Sequence, residues 1–353
     1  MDESNCVCTL VKYQSDTRDE ALAVRTTRNG RSEWSFVFTN KMLRPCLRGE
    51  PCYTVVMFDN ILDCIGNTPL VRIRKMNPNP NVDIYAKLEG FNPTGSIKDR
   101  IAIKMIRQAE EEGKLFPGKT IIEATSGNTG IGLAMIGTTL GYGVEIVMSE
   151  AVSIERQKMI KAFGGNIVLT PRDEGTDGAI RKCRELVAQF PEKYFNPDQF
   201  SNVYNKMAHY QSTAVEIWRQ TDGRITHFVS SLGTSGTLMG VGMGLKEHSP
   251  AIKIVEAQPV KGHYIQGLKN MQEAIVPEIY DSSQIDHSVM VESEEAFIMA
   301  RRIVHEEGIF VGMSSGAAML AALSIAKGLQ KGFIVVLFPD RGEKYLSTDL
   351  FNV

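Results

Sequence analysis

From about residue 57 onward, short apolar runs rich in β-branched residues alternate with stretches whose apolar positions recur every three to four residues. The runs VDIYAKLE, KTIIEAT, VEIVMS, NIVLT, THFVSS, KIVEAQ, VMVES and FIVVLFP read as strands. Between them the spacing predicts helices from about Ser96 to Glu112, from Thr129, from Ile154, from Thr176, and around Tyr204 to Thr221. Strand then helix, repeated, is the pattern of a mostly parallel twisted sheet covered on both faces. The expected fold is α/β with two sheet-centred lobes flanked by helices, the smaller lobe taking about residues 95–205.

Residues 1–56 lack this alternation, and there EWSFVF and CYTVVM predict a short strand pair. The boundary falls near Met57, where MFDNILDCIGNTPLVRI carries an apolar start into a turn from Gly66 to Pro69 and a strand. The division is an N-terminal extension, 1–56, with no assigned role, and a catalytic domain, 57–353.

Composition narrows the function. A chain of 353 residues, 43% hydrophobic, can bury a substantial core. Lys+Arg 39 against Asp+Glu 41 leaves no basic excess for a nucleic-acid partner. No run approaches the roughly 18 to 20 apolar residues of a membrane span. The start MDESNCVCTL lacks the basic-then-apolar form of an export signal, so the expected compartment is the cytoplasm. Six cysteines do not make a disulfide scaffold in a chain of this length. Cys6, Cys8, Cys46 and Cys52 cluster early, but as C-x-C and C-x5-C, unlike the paired C-x2-C of common zinc modules, so no metal is expected.

Ligands of open parallel sheets sit where strands run into helix N-termini. Three such turns here are rich in Gly, Ser and Thr. EATSGNTGIG places Ser126, Gly127, Asn128 and Thr129 after a strand, and SSLGTSGTLMG places Gly233, Thr234, Ser235, Gly236 and Thr237 after another. Both suit an anionic group, and the second lacks the Lys-Ser/Thr pair of a triphosphate loop. VGMSSGAAM carries Ser314 and Ser315 into an apolar helix, and FPDRGEKYLST follows the last strand with Asp340. In GFNPTGSIKDR a single lysine, Lys98, stands just inside a helix start. An amine near a phosphate-sized nest is what a pyridoxal cofactor requires, since the amine forms a Schiff base while the phosphate anchors the far end.

In that order, EGFNPTGSIKDR, TSGNTG, GTSGT, SSGAA and PDRGEKYLST resemble the motif set of the cysteine synthases, or O-acetylserine sulfhydrylases. These are pyridoxal 5′-phosphate enzymes of fold type II, the fold of the tryptophan synthase β chain. The resemblance runs from about Met57 to Leu350. It implies that Lys98 is the internal aldimine lysine, that Asn128 hydrogen-bonds the ring hydroxyl, and that Gly233, Thr234, Ser235, Gly236 and Thr237 cradle the phosphate. Ser314 matches the serine facing the pyridine nitrogen, with Asp340 competing for that place. Thr125, Ser126, Gly127, Thr129 and Gln199 match residues that hold the amino acid's carboxylate.

A neutral hydroxyl at the ring nitrogen stabilises a carbanion poorly and steers the chemistry to elimination. The resemblance thus implies that Lys98 takes the α-proton, the β-substituent departs to leave an aminoacrylate, and a sulfur nucleophile adds. The implied product is L-cysteine, from O-acetylserine or O-phosphoserine with sulfide or thiosulfate. PDRGEKYLST and QPVKGHYIQGLKN look like the B-type sulfhydrylases, in which a basic residue, here Lys269, meets a larger anionic donor. A homodimer is implied, with a serine acetyltransferase as candidate partner. The competing readings are a cystathionine β-synthase-like thioether synthase, a non-catalytic cofactor-binding homologue, and a nicotinamide oxidoreductase. For residues 1–56, capping of the site, assembly, and sulfur delivery through Cys6 or Cys52 stay open.

Overall fold

The computed structural model describes residues 7–13, 21–28, 31–38 and 57–352, in a chain that divides into two compact units, Met1–Asp63 and Cys64–Val353. In the first, β1 (Val7–Tyr13), β2 (Ala21–Arg28) and β3 (Arg31–Phe38) form an antiparallel sheet. Arg28 pairs with Arg31 across Asn29-Gly30, the dipeptide that favours a two-residue hairpin. EWSFVF therefore pairs, but with β2; residues 52–56 of CYTVVM lie outside the described residues. So do Cys6, Cys46 and Cys52.

The second unit opens with β4 (Leu70–Ile73), β5 (Val82–Leu88), α1 (Lys98–Glu111), β6 (Thr120–Ala124), α2 (Asn128–Leu140), β7 (Gly143–Ser149) and α3 (Ile154–Ala162). It continues through β8 (Asn166–Thr170), α4 (Gly175–Gln189), β9 (Tyr194–Phe195), α5 (Val203–Ala208) and α6 (Val215–Gln220). Then come β10 (His227–Ser231), α7 (Gly236–His248), β11 (Lys253–Pro259), β12 (His287–Val291), α8 (Ser293–Arg302), α9 (Met313–Gly328) and β13 (Gly332–Phe338). The helix expected around Tyr204 to Thr221 is interrupted by a wide π-helical stretch, His209–Ala214.

Six strands in the order β12-β11-β10-β13-β5-β4 make one sheet, parallel except for β4 at its edge. The central strand β13 shows why the run FIVVLF carries no polar residue. Ile334, Val336 and Phe338 enter the core shared with α8 and α9, while Phe333, Val335 and Leu337 enter the core shared with α6 and α7. Both faces are covered, so alternation gives way to a continuous apolar run. At the edge, β4 exposes Val71 and Arg72.

A second, fully parallel sheet has the order β8-β7-β6-β9 and is drawn from residues 120–195. Ile122, Ala124 and Val147 pack there against Ala179, Ile180 and Cys183 of α4.

Candidate active site

One cavity is lined by residues from the first turns of four helices: Lys98 on α1, Asn128 and Thr129 on α2, Thr237 on α7 and Ser314 on α9. Helix N-termini present unpaired N–H groups and the positive end of the helix dipole, which suits an anionic ligand. Thr125, Ser126, Gln199, Gly233, Thr234, Ser235 and Lys269 line the same cavity. Gly127, Gly236 and Asp340, three further residues singled out by sequence, are not among the lining residues.

The turn that presents Lys98 is pinned on both sides. Thr94 donates through its backbone N–H to Asp99 Oδ2 at 2.8 Å and through its hydroxyl to Asp99 Oδ1. Ile97 N–H donates to Pro339 O at 2.8 Å, and Ser96 makes an isolated antiparallel bridge with Asp340, so the turn is tied to the segment after β13. Burial lowers the Lys98 amine to about 8, against the opposing charge of Asp340. Among the described residues Lys98 makes no ion pair.

Gly127 precedes α2 with φ +126°, a conformation a side chain resists, and a methyl there would overlap the buried Arg156. Asn128 follows; its Nδ2 donates to Asp340 Oδ2 at 2.7 Å, while its Oδ1 is buried without a partner. Thr129 donates to Gln199 Oε1 at 2.7 Å, and Gln199 Nε2 donates to Ala124 O at 3.0 Å. Hydroxyl, carboxamide and the C-terminal end of β6 are thereby locked together.

At the second turn Ser235 has φ +67° and a buried hydroxyl with no partner. Such a left-handed residue at a helix start curls successive N–H groups toward one point, an anion nest. Asn205 braces this loop, donating to Thr234 Oγ1 at 3.1 Å and to Gln199 O at 2.6 Å. The orphaned polar atoms of Asn128 and Ser235, with the lone amine of Lys98, fit a ligand carrying an anionic tail and an amine-reactive carbon.

Lys269 is buried rather than exposed. It pairs with Asp177 Oδ1 at 3.0 Å and lies 5.0 Å from the ring of Phe200, so its charge is already partly compensated.

Several contributors escaped the sequence reading. Tyr345 and Gln266 line the cavity. Tyr345 donates to Asp340 Oδ2 at 2.8 Å, and the Arg156 guanidinium lies 4.4 Å from its ring, 3.7 Å from Asp340 and against Gln266. His209 Nε2 lies 3.3 Å from Thr237 Oγ1; burial, then the charges of Lys98 and Arg100, hold its pKa well below the usual range and keep it neutral. Tyr345 and Gln266 sit inside segments already marked, PDRGEKYLST and QPVKGHYIQGLKN, whereas Arg156 and His209 stand in helical stretches with no such mark.

Directly behind Lys98, Arg100 donates to both carboxylate oxygens of buried Glu89 at 2.7 and 2.9 Å. It also donates to both oxygens of Glu216 on α6, at 2.6 and 2.8 Å. Lys87 completes the knot, reaching Glu216 at 2.6 Å and Thr68 O at 2.7 Å.

The family described as pyridoxal-phosphate dependent enzyme matches residues 61–340. A cysteine synthase of Aquifex aeolicus is 50% identical over 302 residues, 83% of this chain and 92% of that protein. A cysteine synthase B of Pseudomonas aeruginosa is 44% identical over 84% of this chain and 99% of that protein. Among solved structures, a cysteine synthase from Entamoeba histolytica superposes with TM-score 0.79 at 40% identity, covering 89% of this chain and 95% of that one. Fold, cavity and likeness agree: the chain belongs to the pyridoxal-phosphate-dependent enzymes and, within them, to the cysteine synthases.

Proposed function

We propose that this chain catalyses β-replacement on an activated serine, with sulfide as acceptor and L-cysteine as product, and that Lys98 is the proton-transferring residue. The observation that carries the reading is the meeting, in one cavity, of a buried amine lowered to about 8 with a hydroxyl- and N–H-lined anion nest. Pyridoxal 5′-phosphate, when bound, supplies the electron sink that weakens bonds at the α- and β-carbons of the amino acid attached to it.

The protein's own residues supply the rest. The turn Gly233–Thr237 and the start of α7 hold the phosphate, Lys98 the carbonyl carbon, and Asn128 and Ser314 the ring. Ser314 lines the cavity whereas Asp340 is engaged by Asn128, Tyr345 and Arg156, which favours Ser314 as the residue at the ring nitrogen. Thr125, Ser126 and Thr129, with Gln199, hold the substrate carboxylate. An amine lowered to about 8 keeps a minor neutral fraction at neutral pH and becomes mostly neutral above pH 8, far more readily than an ordinary lysine, so it can take the α-proton and return it. Lys269 stands at the cavity wall as the basic group toward the sulfur donor.

The same proposal places residues 57–353 as the catalytic domain, active as a homodimer in the cytoplasm, with serine acetyltransferase as partner. Among the described residues no helix is long and apolar enough to cross a membrane.

The test is rapid-mixing spectroscopy of the holoenzyme with O-acetylserine and with O-phosphoserine separately. One of them is expected to change the chromophore spectrum with release of acetate or phosphate, and added sulfide to restore it with formation of cysteine. Absence of a spectral response to both would overturn the reading, and cystathionine formation faster than cysteine formation on adding homocysteine would replace it.

A further inference from the structure

The segment Asp340–Leu350 reaches the turn that presents Lys98 through one side chain, Lys344. Its side chain is 0% exposed, and its Nζ donates to Gly95 O at 2.7 Å, in the turn that presents Lys98. The backbone around it is tied elsewhere: Lys344 O accepts from Ser153, and Ser347 donates to Glu155, both at the start of α3. Its neighbour Tyr345 lines the cavity and holds Asp340. A single ammonium thus ties the Lys98 turn to the segment that carries Asp340 and Tyr345.

We propose that Lys344 is a positioning residue for the reaction, whose positive charge balances the buried Asp340 and fixes the Lys98-bearing turn through Gly95. The inference rests on the reading of Lys98 given above. Filling alone is a poor account of the side chain, because burying an ammonium costs more than burying an apolar residue of the same length. Burial first, and Arg156 with it, depresses its pKa to about 8, while Asp340, Asp99 and Glu343 oppose the shift. The charges facing it therefore come from four places: Asp340 after β13, Asp99 on α1, Arg156 on α3 and Glu343 on its own turn. Arg341 also stands near Gly95, but pairs with Glu343 at 2.6 Å.

The consequence for Lys98 has a definite sign. Removing a positive charge from this cluster makes protonation of neighbouring nitrogen easier, so the protonation equilibrium of the group formed by Lys98 and the cofactor moves to higher pH.

The experiment compares wild-type, Lys344→Met and Lys344→Arg holoenzymes. Thermal unfolding establishes that each is folded, the visible absorption of the bound chromophore is titrated with pH, and kcat and KM are measured. K344M is expected to lose about 10- to 100-fold in kcat with KM changed far less, the scale on which small misplacement of a reacting group is felt. Its chromophore titration is expected to shift upward, with K344R restoring both in large part. A folded K344M with unchanged kcat and an unshifted titration overturns the inference. So does a K344R as shifted as K344M, because charge would then not be the operative property. Either failure, with wild type active, leaves the role of Lys98 standing; a wild type without a lysine-bound chromophore removes the underlying reading itself.

Discussion

Asn128 and Asp340 are joined by a 2.7 Å hydrogen bond from Nδ2 to Oδ2, across 212 residues of sequence. A carboxylate only accepts, so it determines which end of the carboxamide faces it and leaves Asn128 Oδ1 turned away. Asp340→Asn removes both that instruction and the anion facing Arg156. Loss of one partner from a buried charge pair typically costs about 3 kcal/mol or more. Urea denaturation of the variant is expected to show that loss, and an unchanged midpoint would contradict the pairing.

Lys98→Ala removes the amine without orphaning any ion partner among the described residues. The variant is expected to fold with wild-type stability, retain no borohydride-fixable pyridoxyl group, and lose about three orders of magnitude or more in turnover. Mass spectrometry of the reduced protein, beside a cysteine-formation assay, checks both halves.

Gly236 and Gly233 test the anion nest from the backbone side. A methyl on Gly236 would overlap Asn205 Oδ1, and one on Gly233 would lie 2.6 Å from Gly267 O, a backbone atom with little room to retreat. Gly236→Ala is expected to raise the cofactor's dissociation constant by about 100-fold, equivalent to roughly 2.7 kcal/mol. Equilibrium dialysis followed at the chromophore wavelength measures it.

The charge knot behind Lys98 makes stability depend on acid. Burial would raise Glu216, but the hydrogen bonds and charge of Arg100, with Lys87, outweigh it and hold the carboxyl at about 2, below its ordinary 4.5. Between those values the unfolded chain binds the proton more readily, so this contribution is complete above pH 4.5 and fades as pH falls toward 2. Melting temperatures across that window should fall less steeply in Glu216→Gln than in wild type, after an initial loss at neutral pH from leaving Lys87 and Arg100 short of an anion.

The sequence was most informative where its signals were local. The strand runs were legible because parallel strands buried on both faces are continuously apolar, and Lys98, Asn128 and the turn Gly233–Thr237 because each stands at a helix start marked by glycine and hydroxyl residues. The two-residue strand β9 is too short to leave a periodic pattern. The π-helical stretch at His209–Ala214 carries no breaker residue, so a continuous helix was the natural expectation. The sequence offered Lys269 as a basic group for an anionic donor but not its cover, because Asp177 and Phe200 come from elsewhere in the chain. Arg156 was invisible for the same reason: its burial depends on Tyr345 and Asp340 meeting α3 in space.

The place of β13 also bears on how the molecule is made. It lies between β10 and β5 in the larger sheet, yet it follows every other strand of that sheet along the chain. Until it arrives, β5 and β10 each keep an unpaired edge, and Asp340, Lys344 and Tyr345 have not yet been supplied to the pocket. Such open edges invite pairing with other chains. Capture of the vitamin-derived group therefore has to wait until β13 and the segment through Tyr345 have been made, and truncation even a few residues before Gly332 should yield aggregating, colourless protein rather than a weakened enzyme.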